Sequence, residues 1–144
     1  MEIETLEYNT LQYSDHQLDV SLISINLVDI MKNLKQSLLS SKKNIMAVPL
    51  LNEPDKKIVI TAAHENLDIK FFKSANSVSV HVIEGVLVFN TRKESIILNP
   101  GMMLTVREET PFRIKSLEKA LFLVTLDCAT GKQESYNYLA VHNR

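Results

Sequence analysis

The sequence is poor in residues that would identify several common classes of protein, with one cysteine, three glycines and no tryptophan. Since Cys128 has no partner for an internal disulfide, nothing favours an oxidising compartment. No run reaches the roughly 20 apolar residues of a membrane helix. The acidic, polar stretch 1–15 lacks the basic and apolar regions of a secretory signal. We therefore expect a cytoplasmic protein without a membrane partner.

An excess of charge of one sign is also missing. The chain has 16 basic and 17 acidic residues, a net charge of -1. Binding to nucleic acid normally requires a clustered basic excess, so we expect no nucleic-acid partner. At 144 residues, 45% of them hydrophobic, the chain is long enough for one domain with its own core and too short for two. We expect a single domain over residues 1–144.

The N-terminal part contains one clear helical pattern, over about residues 27–39. Asn26 can cap its N-terminus, and Asp29 places negative charge in the first turn, where the helix dipole favours it. The sequence leaves open whether this helix caps the end of a barrel or packs on its outer face. Its apolar residues recur at steps of three and four, which places them on one face: Leu27, Ile30, Met31, Leu34 and Leu38.

From about residue 46 to residue 127 the pattern is that of β-strands joined by turns. Val78, Val80 and Val82 alternate with polar residues, as in a strand with one buried face. The Asn-Pro-Gly sequence at 99–101 is turn chemistry, because proline presets φ and glycine accepts the positive φ that follows. Strands at roughly ten-residue spacing indicate a sandwich or a barrel. The predicted fold class is mostly β with one N-terminal α-helix.

Three segments of the chain resemble motifs of the cupin family. Residues 80–89, VHVIEGVLVF, resemble the strand–glycine–strand centre of the first cupin motif. Residues 98–106, LNPGMMLTV, resemble the turn that opens the second motif. Residues 110–126, TPFRIKSLEKALFLVTL, are similar to the closure of the barrel. The resemblance extends over about half of the chain and lies in turns and apolar strands.

This resemblance implies a jelly-roll barrel, the double-stranded β-helix of cupins, with its core over about residues 46–127. The helix at 27–39 precedes the barrel, and residues 128–144 form a C-terminal extension. Since cupins pair through exposed sheet edges, the resemblance also implies a homodimer. Residues 134–142, which alternate tyrosine with other residues, or residues 3–13, are candidates for a strand added to the partner's sheet.

In the family, two histidines and a glutamate of the first motif and a histidine of the second hold a divalent metal. Counted back from Gly85 at the family's spacing, the first three positions are Phe72, Ser74 and Val78. The histidine position of the second motif is Phe112. Phenyl and isopropyl groups offer no donor, and one neutral hydroxyl is not a site. We therefore expect a lost metal site and no cofactor.

The same four positions, Phe72, Ser74, Val78 and Phe112, are candidates for lining a ligand site inside the barrel. Because three of them are apolar, the ligand would be small and apolar or amphipathic. Small barrels are also often filled by their own side chains, and the sequence does not separate the two cases. The predicted function is a non-catalytic small-ligand-binding or sensing module, or a protein-interaction module, with no catalytic residue.

The alternative is a cupin enzyme of the isomerase or oxygenase type that uses non-standard ligands such as His64, His81 and Glu84. Against it, His81 has the opposite parity to the valines of its strand, so its side chain should face outward. Cys128 follows Asp127 and not a basic group, which favours a structural cysteine over a reactive thiol. A regulatory role would act through another protein, since a single helix is too little to read DNA.

Overall fold

The computed structural model describes residues 21–70 and 73–127. In this part of the chain one helix is followed by nine strands. Helix α1 is Leu27–Ser40, one residue longer than the predicted 27–39. The strands are β1 Ile45–Asn52, β2 Lys56–Ala63, β3 Asp68–Lys70, β4 Ser77–Glu84, β5 Leu87–Asn90, β6 Ser95–Leu98, β7 Met103–Val106, β8 Arg113–Ser116 and β9 Ala120–Asp127.

The strands form two antiparallel sheets. The larger has the order β1-β2-β9-β4-β7 and the smaller the order β3-β8-β5-β6. From β4 onward the chain passes repeatedly between them: β5 and β6 lie in the smaller sheet, β7 in the larger, β8 in the smaller and β9 in the larger. Antiparallel strands that alternate in this way between two sheets form a jelly roll. The predicted mostly-β jelly roll with an N-terminal helix is confirmed.

Helix α1 begins where its sequence predicts. The Asn26 side chain accepts a hydrogen bond from the backbone N–H of Asp29 at 3.2 Å, which satisfies one of the free donors of the first turn. At the other end the Ser41 hydroxyl donates to the carbonyl of Leu38 at 3.3 Å. Leu34 and Leu38 are the buried residues of the helix. The residues described include no helix long and apolar enough to cross a membrane.

One row of side chains across the larger sheet shows where the helix packs. Val48 of β1 pairs with Ile60 of β2, Ile60 with Leu123 of β9, and Leu123 with His81 of β4. Paired residues share a face, yet His81 is exposed, Leu123 is half-buried, and Val48 and Ile60 are buried. Helix α1 contacts β1 and β2. It therefore covers the outer face of the barrel wall at these two strands and leaves that of β4 open.

The opposite face of the larger sheet forms the core with the smaller sheet. Val78, Val80 and Val82 are completely buried, as their alternation predicts. From the smaller sheet, Leu87 of β5 and Ile114 of β8 are completely buried too. The apolar run of β9 is continuous because β9 lies at the centre of the larger sheet and is largely buried on both faces.

Two glycines occupy turns that require positive φ. Gly101, with φ of +90°, lies in a turn closed by a hydrogen bond from the N–H of Met102 to the carbonyl of Asn99 at 3.0 Å. Gly85, with φ of +84°, separates β4 from β5. A Cβ atom at position 85 would collide with the carbonyl oxygen of Lys119, whereas one at position 101 would meet nothing within 4 Å.

The crossing from β2 to β3 is held by the buried hydroxyl of Ser116. This hydroxyl accepts the N–H of Leu67 at 2.9 Å and donates to the carbonyl of His64 at 2.6 Å. The backbone of Ser116 also pairs with Asn66 and Leu67, at 2.7 and 2.9 Å. One serine at the end of β8 therefore fixes both ends of the His64–Leu67 turn.

The two glycines allow a matched test of backbone approach. We expect Gly101→Ala to lower the free energy of unfolding by about 1 kcal/mol, the cost of a left-handed alanine. We expect Gly85→Ala to cost about 3 kcal/mol or more, because the backbone at Lys119 must also move. Urea unfolding followed by circular dichroism measures both values. Equal losses for the two variants would contradict the close contact at Gly85.

A second pair of variants tests the Ser116 hydroxyl. We expect Ser116→Ala to lower the free energy of unfolding by about 2 kcal/mol, because it leaves the buried N–H of Leu67 without its acceptor. The control is Ser95→Ala, since the Ser95 hydroxyl makes a hydrogen bond of 2.7 Å to Asn90 on the exposed surface. That change should stay within about 0.5 kcal/mol. Similar stability of both variants in urea would argue against the role of Ser116.

Candidate functional site

The structure brings the described members of the predicted site to one end of the barrel. Val78 is the second residue of β4, and Ser74 lies just before that strand. Phe112 lies just before β8, and all three residues are buried. Phe72 lies outside the described residues. The N–H of Glu109 donates to the carbonyl of Ser74 at 2.7 Å, which ties the loop before β8 to the start of β4. We call this the Phe112 end of the barrel.

The side chains at these positions do not fit a divalent metal. The hydroxyl of Ser74 accepts a hydrogen bond from the N–H of Asn76 at 3.0 Å, so it supports the local turn. Val78 and Phe112 have no donor atom, whereas catalytic metals normally take three imidazole or carboxylate ligands. Among residues 21–70 and 73–127, no group of three His, Cys, Asp or Glu side chains is placed to hold a metal ion.

Phe112 belongs to an aromatic pair at this end. Its ring stacks on that of Phe89 of β5, with centroids 5.8 Å apart and an angle of 15° between the planes. Both phenylalanines are buried. Stacked rings of this kind stabilise a core beyond the area that they bury, by about 0.5–1.5 kcal/mol. Phe112, where the cupin resemblance predicts the position of a histidine, therefore contributes to apolar packing against β5.

Beside this pair a cleft of about 210 Å³ opens between the two sheets. It lies where their edge strands, β6 and β7, leave the barrel uncovered. Phe89, Ile96, Leu104 and Val106 supply its apolar wall, and the remaining lining residues are mainly polar. We call it the barrel-end cleft, and its polar members are Thr91, Glu94, Thr105, Arg107 and Thr110.

The sequence analysis did not identify Ile96 and Leu104 as site residues, although the alternation of side chains along their strands can be read from the sequence. Ile96 pairs with Phe89, and Leu104 pairs with Val80, so both share the inner face of their sheets with buried neighbours. Each lies on a short edge strand, where the alternation extends over only four residues. The pairing partners were needed to identify the inward face.

A larger cleft of about 340 Å³ lies at the opposite end, between helix α1 and the outer face of the larger sheet. We call it the helix cleft. Lys35 and Glu84 form an ion pair of 3.2 Å at its rim, and both are about half exposed. The other lining residues are Leu38, Leu39, Ala62, Ala63, His64, Lys119, Ala120 and Leu121.

The three alternative metal ligands are not brought to one site. His64 and Glu84 both line the helix cleft. His81 does not, because its side chain lies exposed on the outer face of β4, beside Met103 and Leu123, as its parity predicts. Cys128 and the two candidate dimerisation segments, residues 3–13 and 134–142, lie outside the described residues.

Among the described residues, Thr61 places a hydroxyl without a hydrogen-bond partner in the barrel interior. Thr61 of β2 pairs with Ala47 and Phe122, and Phe122 pairs with Val82, so Thr61 faces the interior. Its side chain is completely buried, and its hydroxyl makes no hydrogen bond within the described part of the chain. An unpaired buried hydroxyl lowers stability.

No protein-family model and no curated protein matches the sequence. Solved structures do match. A cupin superfamily protein from Desulfitobacterium hafniense is 15% identical with a TM-score of 0.58, over 63% of this chain and 84% of that one. A cupin-2 domain containing protein from Shewanella frigidimarina is 15% identical with a TM-score of 0.58, over 72% of this chain and 93% of that one.

An enzyme is also among the similar structures. Salicylate 1,2-dioxygenase from Pseudoaminobacter salicylatoxidans is 14% identical with a TM-score of 0.64, over 74% of this chain and 33% of that one. At identities this low the likeness concerns the fold alone, and it includes proteins of different roles.

The unpaired hydroxyl of Thr61 gives a prediction for the interior. We expect Thr61→Val to raise the free energy of unfolding by about 1 kcal/mol, because the buried hydroxyl is replaced by a methyl group of similar size. Thr125→Val, on the outer face of the same sheet, should change it by less than about 0.5 kcal/mol. Thermal or urea unfolding measures both variants. A clearly lower free energy of unfolding for Thr61→Val would mean that the hydroxyl is hydrogen-bonded, for instance to an internal water.

Proposed function

We propose that this chain, which has the cupin fold, is a non-catalytic protein that binds a small apolar or amphipathic molecule at the Phe112 end of its barrel. The non-catalytic half of the proposal is carried by the chemistry of the three described positions that would hold a metal, none of which lines the barrel-end cleft itself. Phe112 is stacked on Phe89, Val78 is completely buried, and the Ser74 hydroxyl accepts a backbone N–H. These groups favour apolar contact over metal coordination.

The shape and lining of the barrel-end cleft support this ligand class. Its volume of about 210 Å³ is below the range of about 300–1,000 Å³ typical of sites for drug-sized ligands, so the ligand is compact. Phe89, Ile96 and Val106 offer apolar contact, while Glu94 and Arg107 place charge of both signs at the cleft. An apolar body with one polar group matches this distribution.

An oxygenase or isomerase function has weaker support. The dioxygenase shares the fold at 14% identity, and this chain covers one third of it. The alternative ligands His64 and Glu84 lie at the opposite end of the barrel from Phe112, and His81 lies on its outer face. We extend the proposal to a cytoplasmic homodimer on the grounds of composition and of the cupin resemblance.

The cleft can be tested by NMR of methyl groups in the full chain. Toluene, p-cresol and hexan-1-ol are suitable probes, because they combine a compact apolar body with no polar group or with one. We expect at least one of them to shift the methyl signals of Ile96, Leu104 and Val106 saturably, with a dissociation constant in the millimolar range or below. The methyl signals of Ile97, which lies on the opposite face of β6 and is exposed, should not move.

A matched pair of variants decides whether the shifts report this cleft. Ile96→Trp should fill the cleft and abolish the saturable shifts, whereas Ile97→Trp should leave them unchanged. Metal analysis after incubation with Mn²⁺, Fe²⁺, Ni²⁺ and Zn²⁺ tests the other half of the proposal. We expect less than about a tenth of an equivalent after dialysis. Close to one equivalent, or probe binding that Ile96→Trp leaves intact, would refute the proposed site.

A further inference from the structure

The helix cleft is a second candidate binding site, independent of the barrel-end cleft. We propose that it binds a small amphipathic carboxylate, with the carboxylate at His64 and Lys119 and the apolar tail between helix α1 and the barrel wall. The two clefts lie at opposite ends of the barrel and share no lining residue. This proposal therefore does not depend on the one made for the Phe112 end.

The cleft exists because the side chains on the outer face of the larger sheet become smaller under the end of the helix. On the outer face of the sheet Ile60 pairs with Leu123, and two residues further along Ala62 pairs with Leu121. The neighbouring pair, Ala63 with Ala120, has the parity of the inward-facing Thr61. On the outer face Ala62 therefore leaves space that the larger Ile60 fills in the preceding row. Helix α1 spans this space, with Leu38 over it.

The floor and one wall of the cleft are apolar. Ala62 and Leu121 belong to the sheet, Leu38 is a buried residue of the helix, and Leu39 remains 66% exposed at the edge. Covering exposed apolar surface contributes about 25 cal/mol for each Å². A short aliphatic or aromatic tail in the cleft would therefore gain contact with Leu38 and Leu121 and shield Leu39 from water.

The backbone of His64 is held by hydrogen bonds on both sides. The N–H of His64 donates to the carbonyl of Asn44 at 2.9 Å, and its carbonyl accepts the Ser116 hydroxyl at 2.6 Å. No hydrogen bond of its ring nitrogens appears within residues 21–70 and 73–127. The ring of His64 is therefore free to donate an N–H to a ligand in the cleft.

The charges at the rim favour an anion. Lys35 is paired with Glu84 at 3.2 Å, so these two charges balance. Lys119 forms no ion pair with any residue that the structure describes, and it lines the same cleft. The residues that line the cleft therefore include one lysine without an ion-pair partner among the described residues, together with His64. A carboxylate can accept from both, and charge-assisted hydrogen bonds of this kind are about twice as strong as neutral ones.

The volume sets the size of the tail. At about 340 Å³ the helix cleft lies at the lower end of the range for small-molecule sites, about 300–1,000 Å³. Octanoate is therefore a suitable probe, since it has one carboxylate and a flexible apolar chain. Octan-1-ol has the same chain without the charge, and acetate has the carboxylate without the chain.

The experiment is a titration of the full chain with these three probes, followed by calorimetry and by NMR of leucine, isoleucine and alanine methyl groups. We expect octanoate to bind saturably at one site with a submillimolar dissociation constant, and the methyl signals of Leu38, Ala62 and Leu121 to shift. Octan-1-ol and acetate should bind at least about 5-fold more weakly, because each lacks one of the two contacts.

Two lysine variants separate the specific contact from general charge. Lys119→Met keeps the aliphatic stem and removes the ammonium group, so it should weaken octanoate binding about 5-fold and leave octan-1-ol binding unchanged. Lys115→Met removes an exposed lysine of β8 that does not line the cleft. It should change the binding of neither octanoate nor octan-1-ol. Ala62→Leu fills the floor of the cleft and should abolish binding of both probes.

Three results would overturn the inference. The first is the absence of saturable octanoate binding up to about 10 mM. The second is an equal weakening of octanoate binding by Lys119→Met and Lys115→Met, which would indicate attraction by the overall positive charge and not by Lys119. The third is a shift of the Ile96 and Leu104 signals with those of Leu38 and Leu121 unmoved, which would assign the carboxylate to the barrel-end cleft and leave the function proposed there standing.

Discussion

Strand β9 is the element on which the rest of the described structure depends. It is hydrogen-bonded along its length to β2 on one side and to β4 on the other, so it joins the two parts of the larger sheet. Its partners lie 37 to 71 residues earlier in the chain, over Lys56–Ala63 and Ser77–Glu84. Such pairings are non-local, and their loop-closure entropy must be offset by apolar burial. The buried run ALFLVTLD supplies that burial on both faces of the sheet.

The two ends of the barrel differ in chemistry because different elements close them. At the Phe112 end the inner face is closed by the aromatic pair of Phe89 and Phe112, and the edge strands β6 and β7 leave an apolar cleft between the sheets. At the other end Gly85 allows the backbone of β4 to pass against that of Lys119. Ala62, near the end of β2, leaves space under the helix, and the turn residue His64 and Lys119 are among the residues that line this cleft. One end is therefore suited to apolar packing, and the other combines an apolar floor with a lysine and a histidine.

Much of the fold could be predicted from local pattern. The N-cap at Asn26, the inward valines of β4, the outward His81 and the turn at Gly101 all follow from periods of two or 3.6 residues and from turn chemistry, which act over a few residues. The cupin resemblance is confirmed at the level of the fold. The candidate site could be predicted only in part. Ser74, Val78 and Phe112 are buried at one barrel end. The positions of Ile96 and Leu104 in the cleft could be recognised only from the register of two four-residue strands.

The sequence alone determined the mostly-β class and helix α1, which are encoded in side-chain period, parity and turn chemistry. The jelly-roll arrangement, and the expectation that apolar groups replace metal ligands, came from the resemblance to cupins. Only the tertiary structure decided that the helix covers the outer face at β1 and β2, which explains why β1 is apolar on both faces. It also decided that His64 and Lys119, 55 residues apart, line one cleft with Leu38. Proximity of that kind depends on strand pairing and helix docking, which are long-range contacts that no local period contains.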